Sequence, residues 1–569
     1  MNFVPSWFLN SEPRRIKTQS STKLFFVFLR MRFVVLGVCL FCSSLTYSQT
    51  FDVILRNGTI YDGSGNKSFK ADLALNADTI AFIGDLSKAK GKTEIDATGL
   101  AIAPGFINML SWADGTLLTD GRSMSDIKQG VTLEVFGEGL SPGPRKRSKK
   151  SALWTTLGGY FDHLQKKGVS PNFASFVGAT SVRTYVLDQQ SRKPTPAELQ
   201  QMKNLVKQAM EEGAMGLGSS LIYAPATFAS TEELIELSKV AAMYGGSYIT
   251  HMRSESDKIL EALNETFRIS KEANIPVEIY HLKINHQRNW KKIDTVLYKI
   301  DSAQKAGLRI SANMYPYIAS ATGLKERIPT WAQDGGPAPM RARFKNPTER
   351  AKILYDMRNG IPTKNSDPKD VMLLGFKKDS LNILYKGKRL DAVARLHGKD
   401  EDETVIDLLS ADKSSIAAVY FLISTDNMKK MLQQPYVSIG SDGGSLALTK
   451  EFIDQGTHPR AYGTFSRFLG KYVRDEKLMP MEEGIRRMTS LPASHLKIKK
   501  RGELKKGYYA DIVVFNATKV IDQATFENPH QYSIGMQHVF VNGVQVLRDG
   551  EHTGMLPGKL VKGPGFKRK

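Results

Sequence analysis

Through the middle of the chain, short apolar runs that end in polar residues alternate with longer segments of helical periodicity. Residues 230–245 and 256–274 show the helical pattern, because their apolar positions recur every three or four residues. Strands and helices that alternate in this way are typical of a parallel sheet. The predicted strands are residues 104–110, 130–137, 173–180, 214–221, 246–253, 275–283, 308–317 and 436–444.

Eight such strands predict an α/β protein built on a (β/α)8 TIM-like barrel over residues 104–495. Residues 323–425 are rich in charge and poor in clean strand patterns, so we expect them to form an insertion between late barrel strands. Functional groups in such barrels lie at the carboxyl ends of the strands. The polar residues that end the apolar runs are therefore the first candidates for chemistry.

Two β-rich pieces flank the barrel region, at residues 49–103 and 496–555. Asn57-Gly58 and Asn542-Gly543 are tight-turn signals between short alternating runs, and the first predicts a hairpin. We expect both pieces to join in one small β-sandwich formed from the N- and C-terminal segments. Residues 556–569 are expected to be a basic tail.

The N-terminal segment, residues 1–48, is typical of a secretory signal peptide. Residues 33–42 are apolar and too short to span a membrane, and Thr46 and Ser48 occupy the −3 and −1 positions of a cleavage site. The polar, basic stretch before Met31 favours translation from that methionine. An uncleaved N-terminal anchor is the alternative. We expect a periplasmic or secreted protein, cleaved near Ser48, with no transmembrane span in the mature chain.

Cysteine content and charge indicate whether the protein contains disulfides and whether it binds nucleic acid. The chain has 2 cysteines, Cys39 and Cys42, and both lie in the predicted signal peptide, so the mature protein is expected to contain no disulfide. The formal net charge is +22, but the basic runs at residues 144–150, 497–506 and 565–569 lie in apparent loops and ends. Since no basic stripe carries interleaved aromatic residues, we expect no nucleic-acid partner.

Four polar residues stand directly after predicted strands: Glu138, His251, His281 and Asp442. Two histidines and a carboxylate at equivalent positions suit a mononuclear zinc site with Glu138, His251 and His281 as ligands and an open position for water. A set of satisfied core side chains is the alternative, because any barrel collects polar residues at this face.

Several segments resemble the N-acyl-D-amino-acid deacylases, or D-aminoacylases, of the metal-dependent amidohydrolase superfamily. They are "GFIN", "GVTLEVFGEG", "GAMGLGSSLIYAPATFASTEEL", "YITHMRSE", "IYHLK", "YPY", "SIGSDGG", "HPRAYGTFSRFLG" and "MTSLPASHLKIKKRGELKKGYYADIVVF". The likeness extends from about residue 51 to residue 550. The resemblance implies a barrel with a β-sandwich, a zinc cofactor and hydrolysis of a linear amide on a D-amino acid.

The chain departs from the family pattern at its first barrel strand. Leu110 and Trp112 stand where the family has His-x-His, so a second metal position is expected to be lost. The family's cysteine ligand is absent and Glu138 is its nearest replacement, while Ala179 stands in place of a further histidine. One zinc per chain would suffice for the reaction. The resemblance places Asp442 next to the metal-bound water, as the general base and then the general acid.

The resemblance also indicates residues that bind substrate. Arg460, Lys283 and one tyrosine of the "YPY" segment, Tyr315 or Tyr317, match positions that hold the substrate carboxylate. A guanidinium fork suits a planar carboxylate. Tyr223 and Arg183 are expected to line the pocket. The partner is then a small molecule with a free carboxylate, and the sequence does not indicate an oligomeric state.

Three functions follow from this reading. The first is a zinc-dependent hydrolase of N-acyl-D-amino acids or D-dipeptide-like substrates. The second is an amidohydrolase acting on cyclic amides or imides, because fold alone does not determine substrate. The third is a metal-free pseudoenzyme with a ligand-binding role, against which the retention of His251, His281 and Asp442 counts.

Overall fold

The computed structural model describes residues 50–147, 153–359 and 366–567. Residues 51–86 and 91–569 form one compact unit, to which the account below refers; the other unit is Met1–Thr50 with Ser87–Lys90. The predicted signal peptide, residues 1–48, lies outside the described residues. Within the described residues, no helix combines the length and apolar character that a membrane span needs.

The strands and helices account for most of the described chain. In chain order the strands are β1 (Thr50–Ile60), β2 (Phe69–Asn76), β3 (Thr79–Gly84), β4 (Lys90–Asp96), β5 (Ala101–Pro104), β6 (Phe106–Asn108), β7 (Val131–Phe136), β8 (Asn172–Ser175), β9 (Val177–Gly178), β10 (Gly216–Ser220), β11 (Ser247–His251), β12 (Val277–Ile279), β13 (Ile310–Met314), β14 (Ser320–Gly323), β15 (Val371–Gly375), β16 (Ala417–Tyr420), β17 (Val437–Ile439), β18 (Ile512–Phe515), β19 (Met536–Val541), β20 (Val544–Arg548) and β21 (Glu551–His552). The α-helices are Ala113–Thr119, Met124–Ile127, Leu157–Lys167, Ala179–Leu187, Pro196–Glu211, Thr231–Met243, Ile259–Ala273, Ile293–Lys305, Pro337–Lys345, Pro347–Asn359, Asp379–Tyr385, Leu390–His397, Glu401–Asp412, Thr425–Leu432, Lys450–Ile453, Arg460–Arg467, Met481–Met488 and Ser490–His495.

The predicted (β/α)8 barrel is confirmed. Strands β6, β7 and β8 pair in parallel, and so do β9, β10, β11, β12, β13 and β17. The two sets are continuous at Phe176, which separates β8 from β9 and donates its N–H to the carbonyl of Phe136 at 2.9 Å. The ring closes where the backbone N–H of Asp442 donates to the carbonyl of Leu110 at 2.8 Å.

Buried polar contacts reinforce this closure. Ser441 donates its backbone N–H to Asn108 Oδ1 at 2.9 Å, and Asn108 Nδ2 donates back to the Ser441 hydroxyl at 2.8 Å. The same Nδ2 donates to Asp126 at 3.1 Å. Since Asn108 ends β6 and Ser441 lies just after β17, these bonds fix the loop that carries Asp442.

Strands from both ends of the chain lie in one sheet of nine strands, ordered β21-β20-β19-β18-β5-β1-β2-β3 with β4 beside β1. The expected assembly from both termini is therefore present, with hydrogen bonds continuous through a single sheet. Asn542-Gly543 forms the predicted tight turn, between β19 and β20, with positive φ at both residues. The prediction of a hairpin at Asn57-Gly58 was wrong, because β1 continues through these two residues with a shift in register against β2.

The expected insertion between β13 and β17 holds three strands that the sequence pattern did not indicate. They form an antiparallel sheet ordered β14-β16-β15. Leu324, Ile353, Leu373 and Ile406 belong to an apolar cluster that is separate from the main cluster of the barrel. The insertion therefore has a core of its own.

The described part of the expected basic tail packs against the barrel. Val561 donates its backbone N–H to the carbonyl of Phe173 at 2.8 Å, and Gly563 donates to Gly213 at 2.9 Å. Val561 is buried, with 8% of its surface exposed. This segment is therefore part of the folded structure rather than a solvated extension.

Candidate active site

The four candidate residues lie at the carboxyl ends of β7, β11, β12 and β17. Gly137 precedes Glu138 with φ of +106°, and a Cβ there would lie 2.4 Å from the carbonyl oxygen of Phe176, so only glycine fits this turn. His281 and Asp442 also have positive φ, at 34° and 49°. Such backbone conformations are uncommon outside glycine and cluster at functional sites.

Glu138, His251 and His281 converge on one point. Glu138 Oε1 lies 2.8 Å from His251 Nδ1 and 3.1 Å from His281 Nε2. One ligand atom from each residue lies within 4.8 Å of the others, and all three side chains are buried. Two imidazole nitrogens and a carboxylate oxygen form a donor set that catalytic zinc uses, so these residues fit the ion.

Glu255 lies behind the two imidazoles and was missed by the sequence analysis. Its Oε1 is 3.0 Å from His281 Nδ1 and its Oε2 is 3.5 Å from His251 Nε2. Lys283 Nζ donates to the same Oε1 at 2.6 Å. A carboxylate on the far side of a ligating histidine orients the ring and raises its basicity. Its position four residues after His251 is the only signal the sequence carries.

The pKa values of these groups reflect their mutual charges. Burial and Lys283 both lower the pKa of His281, but the carboxylates of Glu255 and Glu138 outweigh them and raise it to about 9. Burial alone would raise the pKa of Glu138, yet His281 and His251 hold it well below its usual range. Glu255 is held low in the same way, by His251, Lys283 and His281 against burial. The carboxylates are therefore ionised and suited to hold a cation.

Asp442 is held at both of its oxygens. The indole N–H of Trp112 donates to Oδ1 at 3.0 Å, and Arg460 NH1 lies 2.8 Å from Oδ2. Trp112 lies just after β6, next to the closure of the barrel, so it reaches across to the loop after β17. The residue that replaces a histidine in the family pattern is thus a hydrogen-bond donor to the candidate catalytic aspartate.

Four of the six predicted substrate-binding residues lie around this centre. Arg460 is buried and stacks on the ring of Tyr315 at 4.7 Å, and Lys283 lies 5.9 Å from the same ring. Tyr223 lines the cavity and contacts His251, with ring centroids 5.2 Å apart. Tyr315 therefore contacts both cations without lining the cavity itself, while Tyr223 forms part of the cavity wall.

The structure does not bring Arg183 and Tyr317 to the cavity. Arg183 is buried in an ion pair with Glu233 at 2.6 Å, so its charge is already neutralised. The hydroxyl of Tyr317 donates to Asp522 at 3.2 Å, and its ring lies under Arg467 at 4.7 Å. Both side chains stabilise surrounding structure instead of forming part of the cavity wall.

The site opens into a cavity of about 930 Å3. The barrel side presents Glu138, His251 and Asp442, while the insertion side presents Thr322 and Glu326. Such a volume accommodates a ligand larger than an acylated amino acid. The barrel thus places two histidines, a glutamate and an aspartate with two side-chain partners beside this cavity. This arrangement is that of a metal-dependent hydrolase.

Comparison with known proteins agrees with this class. A model of the amidohydrolase family matches residues 408–547. The D-aminoacylase of Alcaligenes xylosoxydans xylosoxydans is 35% identical over 526 residues, which cover 90% of this chain and 98% of that protein. This chain therefore belongs to the D-aminoacylase and N-acyl-D-amino-acid deacylase family of amidohydrolases.

Two solved structures of the family are similar to this one. A D-aminoacylase, described as showing one-metal activation and second-metal attenuation, matches with a TM-score of 0.76 and 31% identity over 90% of this chain and 100% of that chain. The N-acyl-D-glutamate deacylase of Bordetella bronchiseptica, complexed with zinc and a phosphonate mimic of the tetrahedral intermediate, matches with a TM-score of 0.75 and 28% identity over 90% of this chain and 100% of that chain.

We expect the purified protein to contain about one zinc per chain, and the Glu138→Ala and His251→Ala variants to lose it, because each removes a ligand from a three-residue set. Elemental analysis of protein expressed without chelator measures this. His163→Ala, in the helix Leu157–Lys167, is the control and should keep its zinc. Full zinc in both site variants would contradict the assignment.

Proposed function

We propose that this protein is a zinc-dependent hydrolase that cleaves the linear amide of N-acyl-D-amino acids. The observation that carries the proposal is the convergence of Glu138, His251 and His281 beside Asp442, whose two oxygens are both held in place. The close relatives support the substrate class, since they are D-aminoacylase and deacylases of N-acyl-D-aspartate and N-acyl-D-glutamate.

The residues of this chain divide the reaction between them. Zinc held by Glu138, His251 and His281 would supply an acidic water and polarise the amide carbonyl. The Asp442 carboxylate takes the proton of the attacking water and delivers it to the departing amine, which leaves as the free amino acid. Trp112 and Arg460 keep that carboxylate oriented through the transfer, because each holds a different oxygen.

We propose that one zinc per chain is sufficient. Leu110 and Trp112 have no atom that can ligate a metal, and Trp112 instead donates to Asp442. A hydrogen-bond donor in this place stabilises the carboxylate without a second cation. The D-aminoacylase described as activated by one metal and attenuated by a second supports this proposal.

We propose that Lys283 and Arg460 bind the free carboxylate of the substrate. Both line the cavity, where Lys283 pairs with Glu255 and Arg460 pairs with Asp442. Arg460 Nε is buried and makes no hydrogen bond to any residue that the structure describes. A carboxylate in this position would satisfy it, in keeping with the cost of leaving a buried donor unpaired.

A substrate panel tests the proposed reaction. N-acetyl-D-amino acids should be hydrolysed, while their L-enantiomers and a hydantoin should be much poorer substrates. Asp442→Asn should lower kcat by about 10²- to 10⁴-fold, the range that a positioned acid or base contributes. Asp549→Asn, at a largely exposed turn after β20, is the control and should retain full activity. Equal rates for Asp442→Asn and the wild type would contradict the role of Asp442, and preference for the hydantoin would favour cyclic substrates.

Trp112→Phe tests the bond to Asp442. The substitution keeps a ring but removes the N–H, so we expect kcat to fall about tenfold while KM and zinc content change little. Trp331→Phe removes a similar bond, from Trp331 to Asp356 at 2.8 Å, away from the site and is the matched control. An unchanged kcat for Trp112→Phe would show that Arg460 alone orients the aspartate.

We also propose that residues 1–48 direct export and are then removed, so that the mature protein acts in the periplasm or outside the cell. The apolar run at residues 33–42, followed by small and polar residues, supports this. Fractionation and N-terminal sequencing of the full chain should find mature protein beginning near residue 49 outside the cytoplasm. Leu36→Arg, which interrupts the apolar run, should retain the protein inside. A full-length wild-type chain in the cytoplasm would overturn the proposal.

A further inference from the structure

The insertion places a buried carboxylate on the cavity wall. Glu326 belongs to the short 3-10 helix Leu324–Arg327, lines the cavity and has 8% of its surface exposed. Its Oε1 is paired with Lys325. Its Oε2 makes no hydrogen bond to any residue within the described ranges. A buried carboxylate oxygen without a donor is costly, so this atom indicates a ligand group that the cavity is built to receive.

Glu326 and the candidate metal ligands line the same cavity. Tyr223 spans the distance, because its ring contacts His251 and its hydroxyl is hydrogen-bonded to the side chain of Thr322 in the insertion. The charge of Glu326 also acts on Tyr223, together with that of Glu138. A substrate whose amide lies at the metal centre can therefore reach the insertion wall, which carries Glu326, with a group that extends by about the length of a tyrosine.

The two cations next to Glu326 in the chain, Lys325 and Arg327, already have protein partners. Lys325 pairs with Glu326, and its Nζ lies 3.4 Å from Gln333 Oε1. Arg327 donates to the carbonyl of Ser366 at 2.9 Å and to Asp402 at 3.3 Å, which leaves its buried Nε without a partner among the described residues. The wall therefore offers one unused anionic acceptor and one adjacent donor.

Resting on the proposed function, we propose that Glu326 is a specificity-determining residue that selects substrates with a hydrogen-bond donor on their distal group, of the carboxamide or ammonium type. A carboxamide fits best, because its NH2 can donate to Glu326 and its oxygen can accept from Arg327 Nε. A carboxylate of the same shape has no donor, so it would leave Glu326 unpaired and face it with like charge. The donor can come from the side chain of the D-residue or from the acyl group.

An isosteric pair of substrates tests this selection. The wild type should have a kcat/KM for N-acetyl-D-glutamine at least about tenfold above that for N-acetyl-D-glutamate, since the two differ in one donor and one charge. N-acetyl-D-lysine should also exceed N-acetyl-D-methionine. If the donor comes from the acyl group instead, glycyl-D-methionine should exceed N-acetyl-D-methionine while the glutamine and glutamate derivatives differ little.

Glu326→Gln should reduce the ratio of kcat/KM for N-acetyl-D-glutamine to that for N-acetyl-D-glutamate about tenfold or more. The new amide can donate to the carboxylate of the glutamate derivative and no longer repels it. Glu503→Gln is the control, since Glu503 also pairs with a nearby lysine but does not line the cavity. It should leave all ratios unchanged. An equal loss of kcat/KM on every substrate in Glu326→Gln would show a structural role and overturn the proposal. A kcat/KM ratio near one for every substrate pair in the wild type would also overturn it.

Binding decides the proposal independently of turnover. Calorimetry in an Asp442→Asn background, with and without Glu326→Gln, should show the same preference for N-acetyl-D-glutamine over N-acetyl-D-glutamate and its loss. A wild type that hydrolyses no N-acyl-D-amino acid contradicts the proposed function alone, because the binding preference still tests Glu326. Hydrolysis without any preference, in turnover and in binding, contradicts the role of Glu326 alone.

Discussion

The candidate site depends on the closure of the barrel between its last strand and its first. The backbone bond from Asp442 to Leu110, with the paired bonds between Ser441 and Asn108, holds the loop after β17 against the end of β6. Only in this arrangement does the Trp112 indole reach Asp442. Closure of a parallel barrel also brings the ends of β7, β11 and β12 to the same face, so one topological constraint assembles both the candidate ligands and the proposed base.

A change in one residue type has two consequences at this closure. Trp112 stands where the family pattern has a histidine, so its side chain offers no metal ligand and instead donates a hydrogen bond to Asp442. The donor is neutral, so the negative charge of Asp442 is balanced by Arg460 alone. Lys283 thus balances the charge of Glu255, and Arg460 balances the charge of Asp442. The remaining carboxylate, Glu138, lies at the one metal position. A second cation is not needed to neutralise these carboxylates.

The sequence allowed all eight barrel strands to be predicted, together with the convergence of the three candidate metal ligands at their ends, because strand periodicity is local and strand ends meet at one face. Partners distant in sequence were not predictable in this way. Trp112 and Asp442 are separated by most of the barrel, and nothing in their local patterns relates them. Arg183 resembles a pocket residue until Glu233 is seen to neutralise it. Glu255 lies in a turn after β11, where exposed carboxylates are common, and only the fold shows that it is buried.

The insertion contributes to the selection of the substrate, while the barrel contributes the catalytic groups. The barrel supplies the reacting groups, while the 3-10 segment after β14 supplies the opposite wall of the cavity. That wall is built on a separate apolar cluster, so its polar residues can vary without disturbing the barrel core. Selection of substrate then resides in the insertion, and the chemistry resides at the strand ends.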